Sequence, residues 1–147
     1  MMEARENEIT TRQQLRVELG RDILKVDRAE IEVKKAQHRL KAGISEEARR
    51  YYDRAKEYLD NVKTLMDTLI ELRGRHLDTL IKSSDALCAQ VNLGLEHPEK
   101  HEELREKELT YETLKEESDD ISKEITRTVS QVKREAQDAI TYAQKVK

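Results

Sequence analysis

The 147-residue sequence lacks phenylalanine and tryptophan and contains only one proline, four glycines and one cysteine. Aromatic side chains supply much of the buried area in compact domains, and here five tyrosines are the only ones present. A thick globular core is therefore not expected. Because proline and glycine are the residues that most often end helices, their scarcity leaves few places where a long helix must stop.

Other absences bear on cellular location and on chemistry. The single Cys88 excludes an internal disulfide framework. No segment approaches the roughly 20 apolar residues that span a bilayer, and the first residues lack the apolar run of a secretory signal. We therefore expect an intracellular protein, cytoplasmic or nuclear. No Gly-rich phosphate loop, nucleophile elbow or zinc-type spacing occurs, so we expect no enzyme activity, no cofactor and no metal site.

Charge is the abundant property of this chain. Charged residues make up 40% of the sequence, yet the formal net charge is only −3. Such a composition is typical of long water-facing helices and also of disordered chains. Apolar residues that recur at helical spacing favour the helices. The near balance of the two signs gives no general attraction to nucleic acid, so we expect no nucleic-acid partner.

Two short segments carry the signals that end one helix and begin the next. In the first, Gly43 suits the left-handed residue past a helix end, and Ser45 suits the cap of the following helix. In the second, Gly94 is predicted to end a helix and Pro98 to take the first helical position. Because both connections are short, consecutive helices should lie antiparallel. These signals predict one module, residues 1–147, with helices of about 3–42, 45–92 and 98–147.

Narrow apolar seams along these helices predict the fold. Steps of three, four and seven residues place the apolar side chains on one face, which must pack against another helix. We predict an all-α fold, an elongated antiparallel three-helix bundle or coiled coil of long helices. A hairpin whose first helix pairs with a second chain is the alternative. The residues predicted to pack between helices are Leu19, Val26, Val33, Leu65, Leu69, Ile121, Ile125 and Val132.

The positions of the two turns also predict which residues lie side by side. Residue i of the first helix should face about residue 86 − i of the second helix and lie beside about residue 106 + i of the third. This register gathers Tyr51, Tyr52 and Tyr142 at one end of the bundle.

Residues with potential chemistry are few. His97 and His101 are four apart, a spacing at which two imidazoles on one helix face can share a metal ion. They lack the further ligands of a zinc motif, so we interpret them as solvated residues beside a turn. Cys88 has apolar neighbours, and we expect it to pack as a small hydrophobe. Paired carboxylates such as Glu116 and Glu117 are expected to face water, outside any cleft that acid–base catalysis requires.

A basic stretch near the first turn is the one feature that suggests a ligand. The candidate basic surface comprises Lys34, His38, Lys41, Arg49 and Arg50. Acidic residues are interleaved with it, and no aromatic side chain is placed to stack on a base. We therefore expect a non-enzymatic coiled-coil scaffold, a segment of a cytoskeletal, chromosomal or trafficking assembly. Its partners would be proteins, including a second copy, bound through helix–helix packing. The alternative is a membrane-surface bundle whose basic face contacts anionic lipid.

Overall fold

The computed structural model of the chain describes residues 2–42 and 45–146, without the side chains of residues 2–9, 11, 41 and 42. These residues form three α-helices: α1, Met2–Ala42; α2, Glu46–Glu96; and α3, His101–Lys145. No β-strand occurs in this part of the chain. The fold is an all-α helical bundle, as the sequence predicts. None of the helices contains, in its described residues, an apolar stretch long enough to cross a membrane.

Ser45 caps α2, the role that the sequence indicates for it. Its Oγ accepts a hydrogen bond from the N–H of Ala48 at 3.0 Å, and its carbonyl accepts one from Arg49 at 3.1 Å. Glu46 and Glu47 occupy the first turn, where carboxylates are favoured by the positive end of the helix dipole. The left-handed conformation predicted for Gly43 lies outside the described residues.

The second turn lies farther along the chain than predicted. Helix α2 does not end near residue 92 but continues through Gly94 to Glu96, and Gly94 has no positive φ. The helix ends where Pro98, which has no N–H, cannot continue the hydrogen-bond ladder. A turn over residues 97–100 is closed by a 3.1 Å bond from the N–H of residue 100 to the carbonyl of residue 97. Helix α3 consequently begins at His101 and not at Pro98.

Small side chains make up much of the core. The buried alanines, each 6% exposed or less, are Ala29, Ala36, Ala48, Ala55, Ala136, Ala139 and Ala143. On α2, Ala48, Ala55, Val62 and Leu69 recur every seven residues and are all buried. Alanine at such seam positions lets helices approach closely, and this explains how a chain without phenylalanine or tryptophan packs its interior.

The residues predicted to pack between helices differ in their burial. Leu19 and Leu65 are half-buried. Those that are buried are Val26, Val33, Leu69, Ile121, Ile125 and Val132. Leu65 directly precedes Met66, which is buried in the seam and displaces Leu65 toward its edge. The largest fully buried side chains are Leu69, Val62, Val132 and Val146.

The chain divides into two compact units, each containing parts of all three helices. The first unit comprises Met1–Arg16 and Glu71–Ile125, and the second comprises Val17–Ile70 and Thr126–Lys147. Polar side chains enter the interior of the first unit, where those buried are Arg73, Thr79, Ser83 and Ser118. The four largest fully buried apolar side chains all belong to the second unit.

Contacts inside the second unit define the register of its helices. Arg39 of α1 binds the carbonyl of Ala143 in α3 and that of Val146 directly after α3, within two residues of the predicted position. Glu30 of α1 forms an ion pair with Lys63 of α2 at 3.5 Å, one heptad farther along α2 than predicted. Because the shift is a whole heptad, it leaves the same face of α2 against α1.

Candidate interaction surfaces

An apolar stripe runs along the outer side of α1 in the second unit. Val17, Leu24 and Ile31 recur every seven residues and are 55%, 68% and 53% exposed. At about 100° of rotation per residue, they lie roughly opposite the buried Ala29 and Val33 on the helix. Helix α1 thus has one apolar face inside the bundle and a second one in contact with solvent.

Basic residues border this stripe. Arg21, Arg28 and Lys35 follow Val17, Leu24 and Ile31 by four positions each, and all three are exposed. A spacing of four places each basic side chain one helical turn beyond a stripe residue, on the same side of α1. The apolar stripe and its basic border are called the outer face of α1 below.

A second apolar surface lies in the first unit, between α2 and α3. Leu87 and Val91 of α2 and Leu104 and Leu109 of α3 line an open groove of about 570 Å³. Gly94 also lines it, with Leu104 Cδ2 3.6 Å from the position that a Cβ at residue 94 would take. The charged and polar residues along the groove are Gln90, His101, Arg105, Glu108 and Glu112.

Three tyrosines gather where α2 and α3 meet in the second unit. The rings of Tyr58 and Tyr142 stack with centroids 5.6 Å apart, and the Tyr51 ring lies 6.3 Å from that of Tyr142. Lys145 Nζ lies 4.8 Å from the Tyr142 centroid and 5.4 Å from that of Tyr51, a cation–π arrangement. The predicted proximity of Tyr51 and Tyr142 is confirmed, whereas the third ring in contact is that of Tyr58 and not that of Tyr52.

Tyr51 also forms a hydrogen bond within α2, to a residue one turn earlier. Its hydroxyl donates a hydrogen bond to Glu47 Oε1 at 3.2 Å. This bond, together with the negative charge of Glu47, raises the pKa of Tyr51 above its ordinary value. The neutral phenol is therefore the form that the cluster favours, which suits a structural role better than acid–base chemistry.

Arg39 of α1 binds the carboxyl end of α3. Its Nε donates to the carbonyl of Val146 at 2.7 Å, and its Nη2 donates to the carbonyl of Ala143 at 2.8 Å. The last carbonyls of an α-helix lack partners within the helix, and the dipole makes that end negative. The guanidinium therefore donates to two part-buried carbonyls, of which that of Ala143 also accepts from the N–H of Val146 at 3.2 Å, and it ties α1 to the end of α3.

Local ion pairs reduce the charge of the predicted basic surface. Lys34 Nζ lies 3.6 Å from Glu30 Oε1, and Arg50 Nη2 lies 3.7 Å from Glu46 Oε1. The other members behave differently: His38 and Arg49 are exposed, and the side chain of Lys41 lies outside the described residues. A carboxylate one turn away weakens the attraction of each paired cation for an external anion.

The histidines and the cysteine occupy different settings. His97 lies in the turn, with Nδ1 3.3 Å from Glu99 Oε1, whereas His101 begins α3 at the border of the groove in the first unit. Cys88 is half-buried in α2. Among the side chains that the structure describes, no three of His, Cys, Asp or Glu are placed to hold one metal ion.

The sequence prediction did not single out the outer face of α1. Its signal was nevertheless present, because Val17, Leu24 and Ile31 keep a seven-residue recurrence in register with Arg21 and Arg28. Two apolar recurrences compete on this helix, and only the burial of Val26 and Val33 identifies which one faces the core.

No family model, no curated protein and no solved structure matches this chain. Its function is therefore inferred from its own residues and their geometry.

Proposed function

We propose that this chain is a non-enzymatic scaffold module that binds protein partners through helix–helix packing, with the outer face of α1 as the binding surface. The observation that carries the proposal is the exposure of Val17, Leu24 and Ile31, each more than half accessible at a strict seven-residue spacing. An apolar residue at every seventh position supplies one of the two seam positions of the heptad repeat by which helices pack against each other over several turns.

Burial on the other side of α1 supports this role. Val26, Ala29, Val33 and Ala36 already pack inside the second unit, so the outer stripe is not needed for the fold of the helix. Isolated apolar residues on a protein surface are common, but Val17, Leu24 and Ile31 form a row with a regular spacing of about 10 Å along one side of the helix. Covering such a row removes apolar area from water, which favours association.

The basic border specifies the kind of partner. Arg21, Arg28 and Lys35 repeat with the stripe, so basic residues would flank a helix docked on α1. Lys35 Nζ lies 3.4 Å from Glu32 Oε1, so Arg21 and Arg28 contribute most of this positive charge. The occupant that fits is a helix of another protein with an apolar stripe and acidic residues beside it. A second copy of α1 docked in the antiparallel sense would bring the two basic borders together, and like charges in that position are unfavourable.

The mechanism of such a module is geometric. A helix of 41 residues presents its outer stripe at a fixed register, and the flanking charges select among partner helices. This role is expected within a larger intracellular assembly, cytoskeletal, chromosomal or trafficking in kind. No catalytic step is assigned to any residue.

Synthetic helices of defined charge test the proposal. A labelled peptide of several heptads with a leucine stripe and glutamate flanks should bind the full chain in fluorescence anisotropy, and the same peptide with lysine flanks should not. Leu24→Glu places a charge in the stripe and should weaken binding about tenfold or more. Ile70→Glu is the matched control, because Ile70 is 47% exposed but lies on α2.

Other outcomes distinguish the competing roles. Equal affinity of the wild type and Leu24→Glu for the acidic peptide would refute the assignment of the outer face. Light scattering that gives a dimer mass, lost in Leu24→Glu, would identify a second copy as the occupant. Binding to anionic vesicles that is lost in the same variant, without peptide binding, would identify a lipid surface instead.

A further inference from the structure

Positively charged side chains from two helices meet in a groove of the second unit. Lys25 and Arg28 of α1 and Lys133 of α3 line an open groove of about 260 Å³. Ala136, which is 3% exposed, and Ile140 give the groove an apolar wall. Gln137 also lines it and donates one amide hydrogen bond to Thr141 at 3.4 Å, so its second N–H can donate elsewhere.

Lys25 and Lys133 line the groove from two different helices, α1 and α3. Burial and the charge of Lys133, whose side chain lies within hydrogen-bonding range, lower the pKa of Lys25. Asp22, one turn earlier on α1, acts in the opposite direction but does not cancel this effect. Two ammonium groups near each other repel, and an anion between them would offset that repulsion.

Elsewhere on the charged surface of the second unit, several cations lie beside carboxylates. There, Lys34, Lys35, Arg50 and Lys63 each lie within 4 Å of a carboxylate. At the groove, the strongest charged neighbour of Lys25 is another lysine. Such an arrangement is what an external anion requires, since the cations are gathered and pointed at a common space.

We propose that this groove is a binding site for a phosphate group. A tetrahedral phosphate presents several acceptor oxygens and two negative charges, so it can accept from both ammonium groups and from the Arg28 guanidinium at once. The wall of Ala136 and Ile140 shields one side from water, which strengthens these charged hydrogen bonds. The group can belong to a free phosphate compound or to the headgroup of a phospholipid, and the chemistry that recognises it is the same.

Thermal denaturation of the full chain tests the site. At constant ionic strength, replacing chloride with increasing pyrophosphate should raise the melting temperature in a saturable way, because the ligand binds only the folded state. Lys133→Gln should weaken the apparent affinity about tenfold. Lys56→Gln is the matched control: it removes the same charge from an exposed position of α2 outside the groove and should leave the affinity unchanged.

A second variant at the same position should stabilise the protein in the absence of ligand. Lys133→Glu replaces the like-charge contact with an ion pair to Lys25, so the variant should melt at a higher temperature than the wild type without pyrophosphate. It should also lose the response to pyrophosphate. A variant that only damaged the fold would instead melt lower, and circular dichroism would record the loss of helix.

Binding to vesicles distinguishes a phospholipid headgroup from a free phosphate compound as the source of the phosphate group. Co-sedimentation with phosphatidylcholine vesicles that contain phosphatidic acid, reduced by Lys133→Gln and by free pyrophosphate, would indicate a lipid headgroup. Response to pyrophosphate without vesicle binding would indicate a free phosphate compound. Equal responses of the wild type, Lys133→Gln and Lys56→Gln to pyrophosphate, or no response at all, would overturn the proposal.

Discussion

The central test of the fold compares two adjacent residues of α2. Leu69 is fully buried and Ile70 is 47% exposed, although they are neighbours of similar size in the same helix. Leu69→Ala and Ile70→Ala both introduce alanine, so the gain in helix propensity is a few tenths of a kcal/mol in each. Any larger difference between the two variants must come from packing.

The expected difference follows from the burial of the two side chains. Removing a buried leucine side chain costs its transfer free energy and leaves a cavity, together about 2–5 kcal/mol. A substitution at a half-exposed position usually changes stability by about 0.5 kcal/mol or less. For a chain of this length each kcal/mol shifts the melting temperature by about 2–4 °C, so Leu69→Ala should melt at least about 3 °C lower than Ile70→Ala.

Urea denaturation followed by circular dichroism measures both free energies of unfolding. The two variants should keep the helical signal of the wild type in the absence of urea, and the midpoint should fall strongly only for Leu69→Ala. If the two midpoints fall equally, or if Ile70→Ala is the more damaging, then Leu69 does not face the core and the seam of α2 is assigned to the wrong side.

Two further predictions concern single side chains. Arg39→Ala should destabilise the protein by about 1.5–3 kcal/mol, since it removes two charged hydrogen bonds to the end of α3. Urea denaturation should show this loss, and Arg39→Lys should restore less than the full amount because an ammonium lacks the planar fork. Gly74→Ala should stabilise the protein by about 0.8–1 kcal/mol, because Gly74 lies inside α2 and nothing lies within 4 Å of an added Cβ. If Gly74→Ala melts at a lower temperature than the wild type, the prediction is wrong, and the added Cβ disturbs the helix or its packing.

The helices and the start of α2 were predictable because their signals are local. Ser45 caps α2 through its own side chain, and the seven-residue recurrence of apolar residues requires only the geometry of a single helix. The end of α2 was misplaced because Gly94 and Pro98 give conflicting signals. A glycine inside a helix costs only about 1 kcal/mol, whereas a proline removes a backbone hydrogen bond. The helix therefore continues past Gly94 and ends just before Pro98.

The alanine-rich core was harder to foresee. Apolar patterns are recognised by their large residues, and this favoured Leu19 and Leu65, which are half-buried, over Ala36 and Ala55, which are fully buried. Alanine contributes little to a pattern because it is common on both faces of helices. Its burial depends on how closely a neighbouring helix approaches. That distance is a property of the packed structure and cannot be read from the sequence of a single helix.

The candidate sites were also difficult to predict from the sequence, because they depend on how the helices pack together. The predicted register places Lys25 within about one turn of Lys133, but the sequence could not show that the two side chains meet in a groove whose apolar wall includes Ala136. The basic surface near the first turn was predicted from charge alone, and Lys34 and Arg50 lie beside carboxylates one turn away. The sequence gives the charge of each residue, whereas the electrostatic field at a ligand also depends on the opposite charges that the fold places nearby. Lys25, Arg28 and Lys133 line one groove together, so the proposed anion site lies there rather than in the longer basic stretch.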